Sequence, residues 1–383
     1  MARDYKVIST DDHITEPPGI FDGRLPRKFA DRTPKVVHGE EGDGWQVDDQ
    51  LVFMTGLGVA AGEKPQEFSP KSKRFENMRP GAYDSKERLK DMDRDGVDAH
   101  AACFPTLPGF GGARFSELRD KEYAVALIRA YNDWLVEGFA APDPERLLPV
   151  AVLPLFDLKE AGREILRVRE PGIRGIALPS APHTIEGVPD YPDLAWEPVW
   201  DALEETRMPG FIHINSGKPN YSGLQVGAGA PAEIFVHLAP SNQATVLSTI
   251  LFSGILRRHP KLVFVSAESG IGWLPYFIER ADYTHRKHRF WTGSNIEEET
   301  PSELFRRHIL ANFISDKSGI EMRHAIGVEN IMLGTDYPHT DTSWPETQRV
   351  IREQLGDVPA DERAKICALN AVRILGLDHR PSA

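Results

Sequence analysis

Short apolar strands alternate with helical segments along nearly the whole of this 383-residue chain. Strand-like runs fall at 7–9, 99–104, 147–153, 175–178, 210–213, 262–265, 312–315 and 331–333. Between them, apolar residues recur at helical spacing over 85–95, 123–139, 158–169, 197–206, 242–258, 271–289 and 321–326, and further helices are expected at 345–354 and 360–375. Eight strands separated by helices predict an α/β chain folded as a (β/α)₈ TIM barrel. An open doubly wound sheet would want a glycine-rich phosphate turn after its first strand, and none is present. The expectation is a single barrel domain over 1–383. It carries an irregular, Pro- and Gly-rich insertion at about 24–83, with a β-hairpin around 47–51, that serves as a lid or interface arm. A second irregular stretch, 216–231, is expected to be a mobile loop over the barrel mouth.

Composition narrows the functional classes. Forty-five Lys and Arg against 57 Asp and Glu give a net charge of −12, which argues against a nucleic-acid surface. Two cysteines, Cys103 and Cys367, are too few for a disulfide framework and read as buried thiols. The first residues lack the apolar core of a signal peptide, and no window is long and apolar enough to span a bilayer. A cytoplasmic enzyme acting on a small molecule, with no membrane or nucleic-acid partner, is the resulting expectation.

Chemistry in such a barrel is held at the C-terminal strand ends. Asp11 and His13 end the first strand, and their alternation points both side chains inward. His213 ends the fifth strand, Glu268 follows the sixth, and Asp336 follows the eighth in Leu333-Gly334-Thr335-Asp336. A lone histidine or a helix-capping glutamate is more often structural. Five metal-competent side chains at four strand ends are harder to dismiss, because clustering like charges without a cation is costly. Asp11, His13, His213, Glu268 and Asp336 are therefore the candidate metal ligands, with Asp336 and His213 also the candidate catalytic residues. Glu16, His237 and His339 are further candidates, as ligands of a second metal or as hydrogen-bonding partners around the first; Glu16 has the alternative of fixing a turn. His100, His183, His285, His288 and His308 read as structural or surface residues. Trp273, Tyr276, Trp291 and Trp344 suggest a partly apolar substrate, or packing of the outer helices.

The set Asp11-x-His13-Ile14-Thr15-Glu16-Pro17, His213, Glu268-Ser269-Gly270-Ile271-Gly272-Trp273-Leu274-Pro275 and Gly334-Thr335-Asp336-Tyr337-Pro338-His339 resembles the amidohydrolase superfamily. Within it the chain is similar to the amidohydrolase-related (amidohydrolase 2) branch, which includes aminocarboxymuconate-semialdehyde decarboxylase-like enzymes. The resemblance covers nearly the whole chain. Three positions depart from it. Asp11 stands where the family usually opens with histidine, Glu268 stands where a histidine is usual, and Leu178-Pro179-Ser180 leaves no lysine to carbamylate after the fourth strand.

The resemblance implies a divalent metal, one or two per chain. That metal is iron, manganese or zinc, and exchanging imidazoles for carboxylates hardens the site and shifts its preference towards iron or manganese. The main expectation is a metal-dependent hydrolase in which Asp336 takes a proton from a metal-activated water. The first alternative is a non-haem di-iron or iron–manganese oxygenase, which needs Glu16 or His237 to join the five. The second is a non-oxidative decarboxylase, and a degenerate barrel serving as a scaffold is the non-enzymatic reading. Relatives of this kind commonly assemble, so a homo-oligomer (dimer or larger) is expected.

Overall fold

The computed structural model describes residues 3–40, 42–53, 55–217, 231–293 and 299–380. Strands β1 (Ile8–Ser9) and β2 (Asp12–Ile14) open the chain. A separate antiparallel sheet follows, of β3 (Lys35–Gly39), β4 (Gly42–Val47) and β5 (Gln50–Phe53). The remaining strands are β6 (Ala99–Pro105), β7 (Leu147–Ala151), β8 (Gly175–Leu178), β9 (Gly210–His213), β10 (Phe264–Ala267), β11 (Ile309–Phe313) and β12 (Ile331–Leu333). The first two are one barrel position in two pieces, because both pair in parallel with β6. From β6 each strand pairs with the next in chain order.

The ring closes where the chain leaves β12. The Thr10 N–H donates to the Leu333 carbonyl (2.9 Å), the Asp336 N–H to that of Asp11 (2.7 Å) and the His13 N–H to that of Tyr337 (2.6 Å). The fold is the expected (β/α)₈ barrel.

Its strands are apolar on both faces because both faces are covered. Phe211, Val265, Leu310 and Met332 belong to one buried cluster. Their chain neighbours Ile212, Phe264, Ile309 and Leu333 belong to another, shared with the surrounding helices. The barrel is narrow inside: a Cβ on Gly175 would come within 2.6 Å of the Phe211 ring.

Three of the stretches that differ from the sequence expectation have a plain cause. The sixth strand runs two residues later than 262–265, through Ser266 and Ala267, whose small side chains broke the apolar run. The seventh begins three residues before 312, directly after a helix, Pro301–His308, that the periodicity missed. The helix expected over 242–258 is two, Asn242–Phe252 and Ile255–Arg258, because Gly254 between them takes a left-handed φ of 80°.

The insertion holds three strands where a two-stranded hairpin was expected, and then short 3₁₀ turns. It is tied to the loop after β12, where the Ala61 N–H donates to the Pro338 carbonyl and the Thr340 N–H to that of Leu57, both at 3.0 Å. Most of the loop expected at 216–231 lies outside the described residues. Both cysteines are buried and free. Among the described residues, no helix is long and apolar enough to cross a membrane.

Candidate metal centre and active site

The C-terminal strand ends bring the five expected residues to the barrel mouth. Asp11, His13, His213 and Asp336 are at most 1% exposed. The Nε2 atoms of His13 and His213 point at one another across 3.2 Å. Around them stand Asp336 Oδ1, 3.1 Å from His13 Nε2, and Asp11 Oδ1, 3.5 Å from His213 Nε2. Glu268 Oε2 lies 3.0 Å from His213 Nε2.

His213 is oriented by its own strand end. Its Nδ1–H donates to the Ile214 carbonyl (2.6 Å), which turns Nε2 to the cluster, where a bound cation would replace the proton that Nε2 otherwise carries. Glu268 and Asp336 both sit at left-handed backbone positions, with φ of 54° and 52°. Non-glycine residues rarely take this conformation, and it turns both carboxylates off their strand ends into the mouth. Asn312 on β11 holds the Glu268 turn, accepting the Glu268 N–H at Oδ1 (2.8 Å) while its Nδ2 donates to the Thr10 carbonyl (2.9 Å).

The donor set fits a divalent cation. No oxygen of Asp11 or Asp336 accepts a hydrogen bond from the described residues, although all four are buried. Buried carboxylates left in this way are expensive unless a cation compensates them. The titration behaviour has the same cause. Burial, then the charges of Glu268 and Asp11, hold the Asp336 carboxyl well above its ordinary range. Burial also pushes Asp11 up to about 6, against the opposing pull of His213. Burial works against the His213 imidazolium, but Asp11 and Glu268 raise it to about 10. His13, buried beside His339 and His213, falls well below its usual value.

Of the three further candidates, one reaches the cluster. His339 stacks on the His13 ring (centroids 3.6 Å apart) and puts Nδ1 3.0 Å from Asp336 Oδ1. Glu16 does not reach it. Its carboxylate is spent on the Thr106 and Leu107 N–H groups (both 2.9 Å) and the Tyr131 hydroxyl (2.6 Å), fixing the turn after β6. His237 is exposed on the short helix Glu233–Leu238, and its neighbour Val236 lines the mouth instead.

Two residues escaped the sequence reading. Arg88, fully buried, donates to the carbonyls of His13, Gly81 and Ala82, so it anchors the strand that carries Asp11 and His13. Phe110 packs 4.6 Å from the ring centres of both His13 and His213. An arginine in a charged helix and a phenylalanine in a glycine-rich loop carry no sequence signal of such roles.

Above the cluster opens a cavity of about 540 Å³. The insertion supplies Thr55, Leu57, Gly58 and Val59 to its wall, opposite Phe110 and Ile314. Among the described residues no lysine or arginine lines it. The four aromatic residues considered from sequence do not line it either: Tyr276 and Trp291 are over 70% exposed, and Trp344 is buried against Tyr337.

A family model for amidohydrolases matches residues 40–377. The chain belongs to the amidohydrolase family. The match spans His213, Glu268, Asp336 and His339 and begins after Asp11 and His13. A 2-amino-3-carboxymuconate-6-semialdehyde decarboxylase of Caenorhabditis elegans is 25% identical over 363 aligned residues, covering 80% of this chain and 84% of the relative. An amidohydrolase structure from Mycobacterium avium subsp. paratuberculosis superposes with a TM-score of 0.76 at 24% identity, covering 98% of this chain and 100% of that one. A 5-carboxyvanillate decarboxylase from Novosphingobium aromaticivorans, solved with manganese and a nitrobenzoic acid, gives 0.68 at 20% identity, covering 97% and 96%. Family membership together with the buried donor cluster marks this amidohydrolase-family chain as an enzyme with a divalent metal centre.

Proposed function

We propose that this protein is a metal-dependent, non-oxidative decarboxylase of a small, partly apolar carboxylic acid. The observation that carries the reading is the match of most of the chain to a decarboxylase. Beneath the cavity the protein offers a buried acid, Asp336, whose Oδ1 lies 3.1 Å from His13 Nε2 and 3.0 Å from His339 Nδ1.

One divalent cation per chain would be held by Asp11, His13, His213, Glu268 and Asp336, with His339 beside Asp336. The carboxylate-rich set favours manganese over zinc. When bound, the cation supplies a Lewis-acid anchor for the substrate carboxylate, which no described lysine or arginine of the cavity wall provides. Asp336 delivers a proton from its carboxyl oxygen to the carbon that loses CO₂. The electron pair of the broken C–C bond becomes the new C–H bond, and solvent returns the proton to Asp336. The walls formed by Phe110, Leu57, Val59 and Ile314 suit a flat ring or unsaturated chain and keep bulk water from the protonated carbon.

Hydrolysis, the main expectation from the motifs, would use the same residues with Asp336 as base. The decarboxylase relative tips the balance away from it. The oxygenase reading loses its second set of ligands, since Glu16 and His237 lie off the cluster.

The manganese-loaded protein, given hydroxybenzoates and unsaturated dicarboxylic acids in D₂O, is expected to release CO₂ and place deuterium at the vacated carbon. Cleavage of amides or lactones with no CO₂ from any acid would sink the reading.

A further inference from the structure

At the end of the barrel opposite the mouth, His259 sits in the turn between the helix Ile255–Arg258 and strand β10. It is 4% exposed, yet carboxylates of the helix Glu197–Thr206, which leads into β9, stand on both sides of its ring. Its Nε2–H donates to Glu197 Oε2 (2.8 Å). Its Nδ1 has no hydrogen-bond partner and lies 3.7 Å from both Asp201 Oδ1 and Glu204 Oε2. That separation is too long for a hydrogen bond. A buried ring nitrogen left unpaired is expensive, and one flanked by two carboxylates presents a cation with three donors of its own.

We propose that His259 Nδ1, Asp201 and Glu204 bind a zinc ion, separate from the metal centre at the mouth, with Glu197 as the residue that positions the imidazole. Two donors of one tetrahedral zinc ion stand about 3.4 Å apart, since each bond is about 2.0–2.2 Å long. The 3.7 Å separations on either side of Nδ1 come close to that. Asp201 and Glu204 are three apart on one helix and share a face. Glu204 Oε1 accepts the Lys261 N–H (2.9 Å), which leaves Oε2 for the ion. The Asp201 side chain, 73% exposed, is free to turn onto it, and water completes the shell. Glu197 is occupied at both oxygens, by His259 and by Arg258 Nε (2.8 Å), so it fixes the ring and its tautomer without becoming a ligand. Imidazole among the donors favours zinc over calcium or magnesium. The ion would tie the helix before β9 to the turn before β10, beneath the strands that lead to His213 and Glu268. Residues at this end of such a barrel serve stability rather than chemistry.

The test is equilibrium dialysis of the full-length protein against zinc alone, with bound zinc counted by mass spectrometry and folding checked by circular dichroism. At saturation the wild-type chain should hold one zinc ion more than Asp201→Ala or His259→Gln. Asp201 is a surface residue, so its variant keeps the comparison valid even where His259→Gln fails to fold. Turnover should be the same in the wild type and Asp201→Ala. Glu197→Ala should weaken binding of the additional ion about 10- to 100-fold, the usual effect of removing a group that orients a histidine ligand. Glu197→Gln should recover most of that loss, because its amide oxygen still accepts the Nε2–H. Equal zinc uptake by the wild type and Asp201→Ala at every concentration overturns the proposal, as does a folded His259→Gln chain that keeps the additional ion. A Glu197→Ala chain that binds it as tightly as the wild type overturns the positioning role.

Discussion

The floor of the cavity and the wall behind it hold acids that are equally buried and opposite in character. In the floor, the four buried oxygens of Asp11 and Asp336 take no backbone or hydroxyl hydrogen bond from the described residues and face imidazole nitrogens instead. In the wall, Glu16 is just as buried, yet two backbone N–H groups and a tyrosine hydroxyl satisfy it. Asp12 is intermediate: Thr335 Oγ1 donates to its Oδ1 at 2.6 Å, while its other oxygen has no partner. Burial alone therefore says little about which acid does chemistry. A carboxylate whose lone pairs the protein has left for something else is the informative one.

That contrast breaks most sharply at Asp336. Asp336→Asn keeps the shape and removes the acid. Steady-state turnover of whichever substrate is found should fall roughly a thousandfold or more, as for loss of a general acid or base. Metal content should largely survive, since four of the proposed ligands remain. Full activity in the asparagine variant would refute the role of Asp336.

His339 tests the edge of the floor. It touches Asp336 and stacks on His13, so His339→Ala should loosen both. Metal affinity, measured by competition with a chelator, should fall about 10- to 100-fold, the usual effect of removing a residue that orients a ligand. Unchanged affinity would move His339 out of the centre and leave it as a packing residue.

Glu16 tests the wall. Glu16→Gln keeps the length but loses the acceptor for the Leu107 N–H, at a cost of about 1–3 kcal/mol in stability. Manganese content per chain should be unchanged. Burial lifts the Glu16 carboxyl from 4.5 to about 7, against its three donors. A carboxyl raised in the folded state contributes fully below its unfolded value and loses that contribution as pH rises to its folded one. Melting temperature of the wild type should accordingly decline between pH 4.5 and about 7, with a shallower decline in the glutamine variant. A metal-free glutamine variant would overturn the division between floor and wall.

The same contrast shows what was legible in the sequence. Strand ends carry catalytic residues in this fold, so the meeting of Asp11, His13, His213, Glu268 and Asp336 at the barrel mouth was legible from alternation and position. Barrel strands with clear boundaries, such as 175–178, 210–213 and 331–333, were readable to the residue because glycine or an apolar triplet marks them. Strand β10 was not, because Ser266 and Ala267 continue it without the apolar signal. Glu16 was ambiguous for a deeper reason. Whether a glutamate three residues past a ligand turns into the cavity or away from it depends on which N–H groups meet it, and Thr106 and Leu107 lie some ninety residues on in the chain.

His237 supplies the smallest expected effect. In sequence it stood beside an irregular glycine-rich stretch and looked able to reach the barrel mouth. In the fold its helix does come to the mouth, but Val236, Ala239 and Pro240 face the cavity and His237 is exposed. Adjacent helical residues point about 100° apart, so Val236 edges the cavity, itself 61% exposed, while His237 points away from it. His237→Gln should therefore change metal content and turnover by less than about twofold, within the range of ordinary surface substitutions. Val236→Ala, one residue earlier, should raise KM while leaving metal content alone, because it enlarges the apolar wall without touching a ligand. If His237→Gln instead strips metal, the helix must turn further over the mouth than its present packing allows, and a further imidazole would have to be added to the centre.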